Sequence, residues 1–316
     1  MNKLKTMCLT MALCTGAAAY AQKGGNIQEG SVRAPLNVKI DGKLNEWNDD
    51  FQAVNKTTLL TYSITNDDNY LYLVLKTADQ TASRKITAGG ISFTINTANK
   101  KKEQDAFKLV YPMIDGNAMR GAFQRPGGQG GQGGPPAGAV VVVGGMAGGG
   151  MGGGRPFQMD SATLASMHKA TIDAAKEIKL FGFKDIADSV ISVYNEYNIK
   201  AAIGYDAKGA LTYEMAVPLK SLGLSTDSPK EFAYNIKVNG IQMRMGPDGG
   251  HGFGGGGMGG DGPRGGGEMR VDVVRVDGGG GSFGGGQGGP PPGAFAAMQS
   301  MFSPTDFWGK YTLAKK

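Results

Sequence analysis

Over most of the chain, apolar and polar residues alternate with the period of two that marks β-strands with one face buried. Residues 57–65 (TTLLTYSIT) and 70–77 (YLYLVLKT) are rich in β-branched and aromatic side chains, and Asn66-Asp67-Asp68-Asn69 between them supplies turn chemistry, so together they predict a hairpin. The pattern predicts further strands at 91–96, 107–111, 177–183, 190–194, 199–205, 211–217 and 232–239, a short one at 270–276 and a closing strand at 307–313. About ten strands in one unit require two sheets packed face to face. The expected fold class is therefore all-β, a two-sheet antiparallel β-sandwich of the jelly-roll or immunoglobulin-like kind. One segment breaks the alternation: residues 161–176 carry Leu164, Met167, Ile172 and Ala175 at helical spacing, with Asp160 or Ser161 as N-cap. A single helix is expected there, covering one end or face of the sandwich.

Composition adds two insertions to this picture. The chain holds 54 glycines in 316 residues, and 40 of them fall in 121–155 and 246–293. Glycine has the highest ordering cost of any residue, and these tracts offer few side chains to bury, so they read as long loops inserted into one domain spanning 22–316. Two apolar islands interrupt the tracts or border them: 139–143 (AVVVV), which reads as an added strand or, if exposed, an aggregation hazard, and 294–302 with Met298, Met301 and Phe302, which leads into the last strand.

Residues 1–21 read as an export signal. Lys3 and Lys5 precede a short apolar stretch, and Ala19-Tyr20-Ala21 forms an A-x-A cleavage site. The expected location is periplasmic, outer-surface or secreted. No apolar run approaches the length that spans a bilayer, so no transmembrane segment is expected. Cys8 and Cys14 both lie within the signal. The chain beyond it then has no thiol for a disulfide, a nucleophile or a cysteine-based metal centre. Without Lys3 and Lys5 the net charge falls from +6 to +4. The longest basic run is Lys100-Lys101-Lys102, which fits a polar strand end and gives no basis for nucleic-acid binding.

Four separated motifs carry a family resemblance. Ile40-Asp41-Gly42-Lys43-Leu44-Asn45-Glu46-Trp47 resembles the IDG-x-L-x-E-W opening of family 9 carbohydrate-binding modules and the related DOMON-like sandwiches. The Asn66 to Leu73 hairpin resembles that group's D-x-x-x-LY segment, and Tyr213-Glu214 through Leu222 its YE-x-x-(I/V)P-L-x-x-L segment. Asp306-Phe307-Trp308-Gly309-Lys310-Tyr311-Thr312-Leu313 is similar to its closing strand. The resemblance implies the same two-sheet sandwich and a carbohydrate-binding role. The residues also have plain structural readings: Asp41-Gly42 makes a tight turn, Trp47 is a large apolar plug with one N–H to satisfy, and Pro218 ends a strand. Trp47 and Trp308, the two tryptophans, both sit in motifs that build the fold.

With no spare tryptophan to clamp a sugar, Tyr194, Tyr197 and Tyr205 are the candidate ligand-binding rings, although alternating strand spacing suits them better to the core or to cross-strand pairs. Glu46, Asp49 and Asp50 after the signature turn, with Asp67 and Asp68 in the hairpin, could offer oxygen ligands to calcium, against the simpler reading of solvated acidic turns. Calcium is the one cofactor these residues suggest. The resemblance also extends to haem binders with His or Met ligands; here His168 reads as a helix-surface or boundary residue and His251 as a loop residue. Met243, Met245, His251 and Met258 lie close enough in sequence for a soft-metal loop, while methionine is also ordinary filler. No serine-centred elbow, Cys/His couple or HExxH run is present, so an enzyme is not expected. Two functions remain: a non-catalytic binding module, with carbohydrate the ligand that the resemblance implies, acting as a cell-envelope or secreted accessory protein; or a structural or interaction scaffold whose glycine-rich loops contact a protein partner or envelope surface.

Overall fold

The computed structural model describes residues 24–114, 161–241 and 294–316. The predicted signal, both glycine tracts, the island at 139–143, the strand expected at 270–276 and the Met243/Met245/His251/Met258 group lie outside the described residues.

Among the described residues, eleven strands form two antiparallel sheets. One is ordered β1-β2-β3-β9-β8, from β1 (Ala53–Asn55), β2 (Leu60–Asn66), β3 (Tyr70–Thr77), β8 (Lys200–Tyr205) and β9 (Leu211–Pro218). The other is ordered β11-β10-β4-β5-β6-β7, from β4 (Ile91–Asn96), β5 (Phe107–Met113), β6 (Glu177–Phe181), β7 (Val190–Ser192), β10 (Phe232–Val238) and β11 (Thr305–Tyr311). The chain is thus a two-sheet antiparallel β-sandwich, as the alternation predicts. Inward residues of the two sheets meet directly: Tyr62 and Tyr234 share a 3.0 Å hydroxyl contact, Tyr62 lies 5.0 Å from Phe307, and Tyr111 meets Tyr213 edge-on at 5.7 Å. Gly309 makes room for this core, because a Cβ there would collide with the Tyr234 ring.

The helices depart from the expectation of one. Among the described residues there are three: α1 (Gln80–Gly89), α2 (Ser161–Ala174) and α3 (Ala294–Phe302). α1 carries only Ala82 and Ile86 as buried apolar residues, too few to announce a helix; the Asp79 carboxylate, accepting from Ala82 N at 2.7 Å, starts it. α3 occupies the stretch expected to lead into the last strand, and β11 follows it directly; the helix itself is not an expected element. α2 lies where expected but turned: Leu164 and Ile172 are exposed, while Thr171 is buried and the His168 ring stacks on Tyr205 at 3.5 Å. Its packing face is defined by His168, Thr171 and the following Ala175.

Strand ends shift for local reasons. The first strand of the hairpin begins at Leu60, not at 57, because Asn55 Oδ1 accepts from the backbone N–H groups of Thr57 and Thr58 and from the Thr58 hydroxyl, closing a turn. β6 stops at Phe181 because Gly182 turns the chain with φ +83°.

The two outer faces of the sandwich are treated differently. The segment 34–51 lies over the five-stranded sheet, where Trp47, Val38, Ile40, Leu44 and Phe51 pack with Tyr72, Val74 and Ala216. β3 and β9 are consequently buried on both faces, which is why they read as nearly continuous apolar runs. The outer face of the six-stranded sheet carries Asp306, Trp308, Lys310, Lys237, Lys108 and Lys179. Glu103 bridges Lys108 and Lys237 across it.

Candidate functional site

The turn after β7 places two of the three sequence-selected tyrosines together. Asn195 holds it: its Nδ2 donates to Ser192 O at 2.8 Å and to Ile199 O at 2.6 Å, and its Oδ1 accepts from Ile199 N at 3.3 Å. Tyr194 N donates to Ser192 Oγ at 3.1 Å, and Asn198 takes the left-handed conformation at φ +57° that reverses the chain. The result is an open depression of about 400 Å³ lined by Asp188, Val190, Ser192, Tyr194, Glu196 and Tyr197. Tyr194 is 85% exposed. Tyr197 is half-buried and forms a wall shared with a smaller recess beside Phe183, Lys184 and Asp185. Desolvation, with the Glu196 and Asp188 carboxylates nearby, raises the Tyr197 pKa, so its hydroxyl keeps its proton and donates a hydrogen bond to Glu196. The depression therefore combines ring surface with carboxylate and hydroxyl oxygens that can accept.

Asp188 and Glu196 were not among the residues selected from sequence. The signal was the density of polar and aromatic residues in DSVISVYNEYN; what sequence could not supply is the turn that folds both carboxylates to the side of the rings.

Tyr205 does not join this site. One face of its ring is covered by His168, and its hydroxyl is hydrogen-bonded to Thr171 and Ser83, so it anchors α2 and α1 to β8. Burial lowers the His168 pKa, which favours the neutral ring in that stack.

The candidate calcium ligands are likewise dispersed. Asp67 Oδ1 accepts from the backbone N–H groups of Asn69 and Tyr70, both at 2.7 Å, and its Oδ2 from the Tyr72 hydroxyl at 2.6 Å, so it serves the hairpin turn. Asp68 is paired with Arg33 and Lys316, which hold its pKa below the ordinary carboxylate value. Asp49 pairs with Lys76, which Asp206 also grips. Glu46 stands in the signature turn with a buried, unpartnered Oε2, and Asp50 is exposed. Among the described residues, no three metal-binding side chains converge.

The carboxylate that does gather partners is Glu214, which is fully buried. Its Oε1 accepts from Trp47 Nε1 at 2.8 Å, and its Oε2 from Gly42 N at 2.8 Å and Asp41 N at 3.1 Å. Gly42 sits at φ +81° with its carbonyl accepting from Thr212 Oγ1 at 2.7 Å, and a Cβ there would lie 2.5 Å from Ile203 O. Two of the four motifs, IDG-x-L-x-E-W and YE, are thereby halves of one junction that fastens the covering segment to β9. Desolvation outweighs the three donors and pushes the Glu214 pKa up to about 7. No substrate can reach this group, and its role is structural. Trp47 is likewise buried, whereas Trp308 is half-buried on the outer face of the six-stranded sheet, so only one of the two tryptophans is a core residue.

Scans against protein-family models and against curated proteins return no match.

Proposed function

We propose that this protein is an exported, non-catalytic binding module of the kind represented by family 9 carbohydrate-binding modules and DOMON-like sandwiches, and that it takes a neutral sugar chain at the Tyr194–Tyr197 depression. The observation that carries this reading is Tyr194: its ring is 85% exposed, on a turn fixed by the Asn195 and Ser192 hydrogen bonds. An aromatic ring held out in water at little further ordering cost is a platform for the C–H face of a sugar, and the Asp188 and Glu196 carboxylates, with the lone pairs of the Tyr197 hydroxyl, can accept from its hydroxyl groups. The joining of two resemblance motifs through Glu214 supports the family relationship. Binding is preferred to catalysis because the depression is open, with nothing to exclude water from a reacting bond.

A glycan array followed by calorimetry on the best ligand tests this. The expected result is modest affinity that barely changes with salt, since a neutral sugar makes few charge contacts. Tyr194→Ala should keep the melting temperature and lose roughly tenfold or more in affinity, about 1.4 kcal/mol. Absence of binding to any arrayed glycan, or a Tyr194→Ala variant that binds as well as the parent, overturns the proposal.

One observation favours the scaffold reading as an alternative. Residues bordering both tracts meet at one end of the sandwich: Gly90 abuts Pro112 O, Gly89 abuts Gly240, and Ile241 N donates to Met301 O at 2.9 Å. A protein partner that binds the parent chain, releases as salt rises and is lost when the tracts are shortened would favour it.

A further inference from the structure

Among the described residues, β11 is the longest strand at a sheet edge, seven residues with β10 on one side and no strand on the other. Its inner face carries Phe307, Gly309 and Tyr311; Asp306, Trp308 and Lys310 face outward, with both charged residues exposed. An open edge presents unpaired backbone donors and acceptors, and a flat one attracts other strands unless charges block it. Here the two charges are of opposite sign and stand symmetrically, each two residues from Trp308.

We infer that two copies of this chain join β11 to β11 in antiparallel fashion about a two-fold axis at Trp308, making one continuous twelve-stranded sheet from the two six-stranded ones. In that register Asp306 of one copy lies opposite Lys310 of the other, twice, Trp308 meets its own counterpart, and Thr305 faces Tyr311. Opposite charges directly across an antiparallel pair are stabilising. Sliding the strands by one position in either direction about the axis removes both charge pairs, so the charges select this register as well as this partner. Each charge retains its internal support in the pair. Asp306 Oδ2 accepts from Asn235 Nδ2 at 2.7 Å, leaving Oδ1 available, and Lys310 holds Glu231 at 2.8 Å with one of its three donors. The interface is isologous, the commonest arrangement for a homodimer. A single strand pair with its flanking side chains makes a small contact, so the dimer is a reversible one that dilution dissolves.

Sedimentation velocity on the full chain over a dilution series tests the pairing. The parent should shift from monomer toward dimer as concentration rises. Asp306→Lys and Lys310→Glu should each stay monomeric, because each puts like charges opposite one another twice, while still unfolding in a single cooperative transition, at a somewhat lower temperature for the loss of the Asn235 or Glu231 contact. An equimolar mixture of the two variants should dimerise again, since their edges are complementary to each other. Independently, Trp308→Cys in a chain with Cys8 and Cys14 changed to Ser should form a disulfide-linked dimer on mild oxidation, at least tenfold faster than Lys179→Cys in the same background. A parent chain that stays monomeric up to about 1 mM, or self-association that neither charge variant weakens, overturns the inference, and the edge charges then act as guards against pairing.

Discussion

At the scale of single residues, Glu214 shows how a buried carboxylate can organise a surface segment. It satisfies the Trp47 indole and two backbone N–H groups at once, so the turn at Asp41-Gly42 and the plug at Trp47 are fixed relative to β9 by one side chain. Burial raises its pKa in the folded chain to about 7 from the ordinary 4.5, which means that the folded state binds this proton more tightly than the unfolded state does. Its contribution is complete below about pH 4.5 and is lost as pH rises through about 7. Urea unfolding at pH 5 and pH 8 should therefore show lower stability at pH 8, by up to roughly 3 kcal/mol. Glu214→Gln should flatten that dependence while lowering stability at both values, because the amide N–H meets donors where an acceptor is needed. Unchanged pH dependence in Glu214→Gln would show that another group titrates. Trp47→Ala empties a buried aromatic site and strips Glu214 of one donor, so thermal unfolding should report a loss of about 3 to 5 kcal/mol.

Among the elements, the helices are set by contacts rather than by their own patterns. α1 has little apolar surface, yet Ile86 enters the main core and Lys85 is carried into burial beside Thr305, where desolvation lowers its pKa. Such a helix depends on its cap. Asp79→Ala should cost about 1 kcal/mol in chemical unfolding, with local amide exchange rising first over 80–84; a variant with unaltered exchange there would show that packing alone defines the start. α2 shows the opposite case, in which a clear apolar stripe at Leu164 and Ile172 remains exposed while a histidine, a threonine and an alanine make the contact. Helical period was legible there, but the face was not, because the Tyr205 ring on β8 attracts the flat His168 ring more specifically than it attracts an aliphatic side chain.

For the whole molecule, residues that border the two glycine tracts, Pro112 and Gly240 among them, lie at one end of the sandwich, and among the described residues no strand lies beyond β11. Replacing 127–154 with a short polar linker should preserve a single cooperative thermal transition, because closure entropy changes slowly with loop length. Loss of cooperativity would assign 139–143 to the core. What the sequence by itself determined is the local information: strand positions through two-residue alternation, the hairpin turn through Asn66 to Asn69, one helix through its spacing, and the tyrosine-rich segment at 194–197. These follow from interactions between near neighbours, which the chain carries wherever it goes. Only tertiary structure decided the rest. Glu214 meets Gly42 across 172 positions, Tyr62 meets Tyr234 across the same distance, Trp47 enters a core while Trp308 faces outward, and Tyr205 is kept apart from the depression that Tyr194 and Tyr197 line. Which face of a strand is covered twice, and which carboxylate loses its water, depends on what arrives from elsewhere in the chain, and desolvation is a property of that assembled surrounding rather than of the residue.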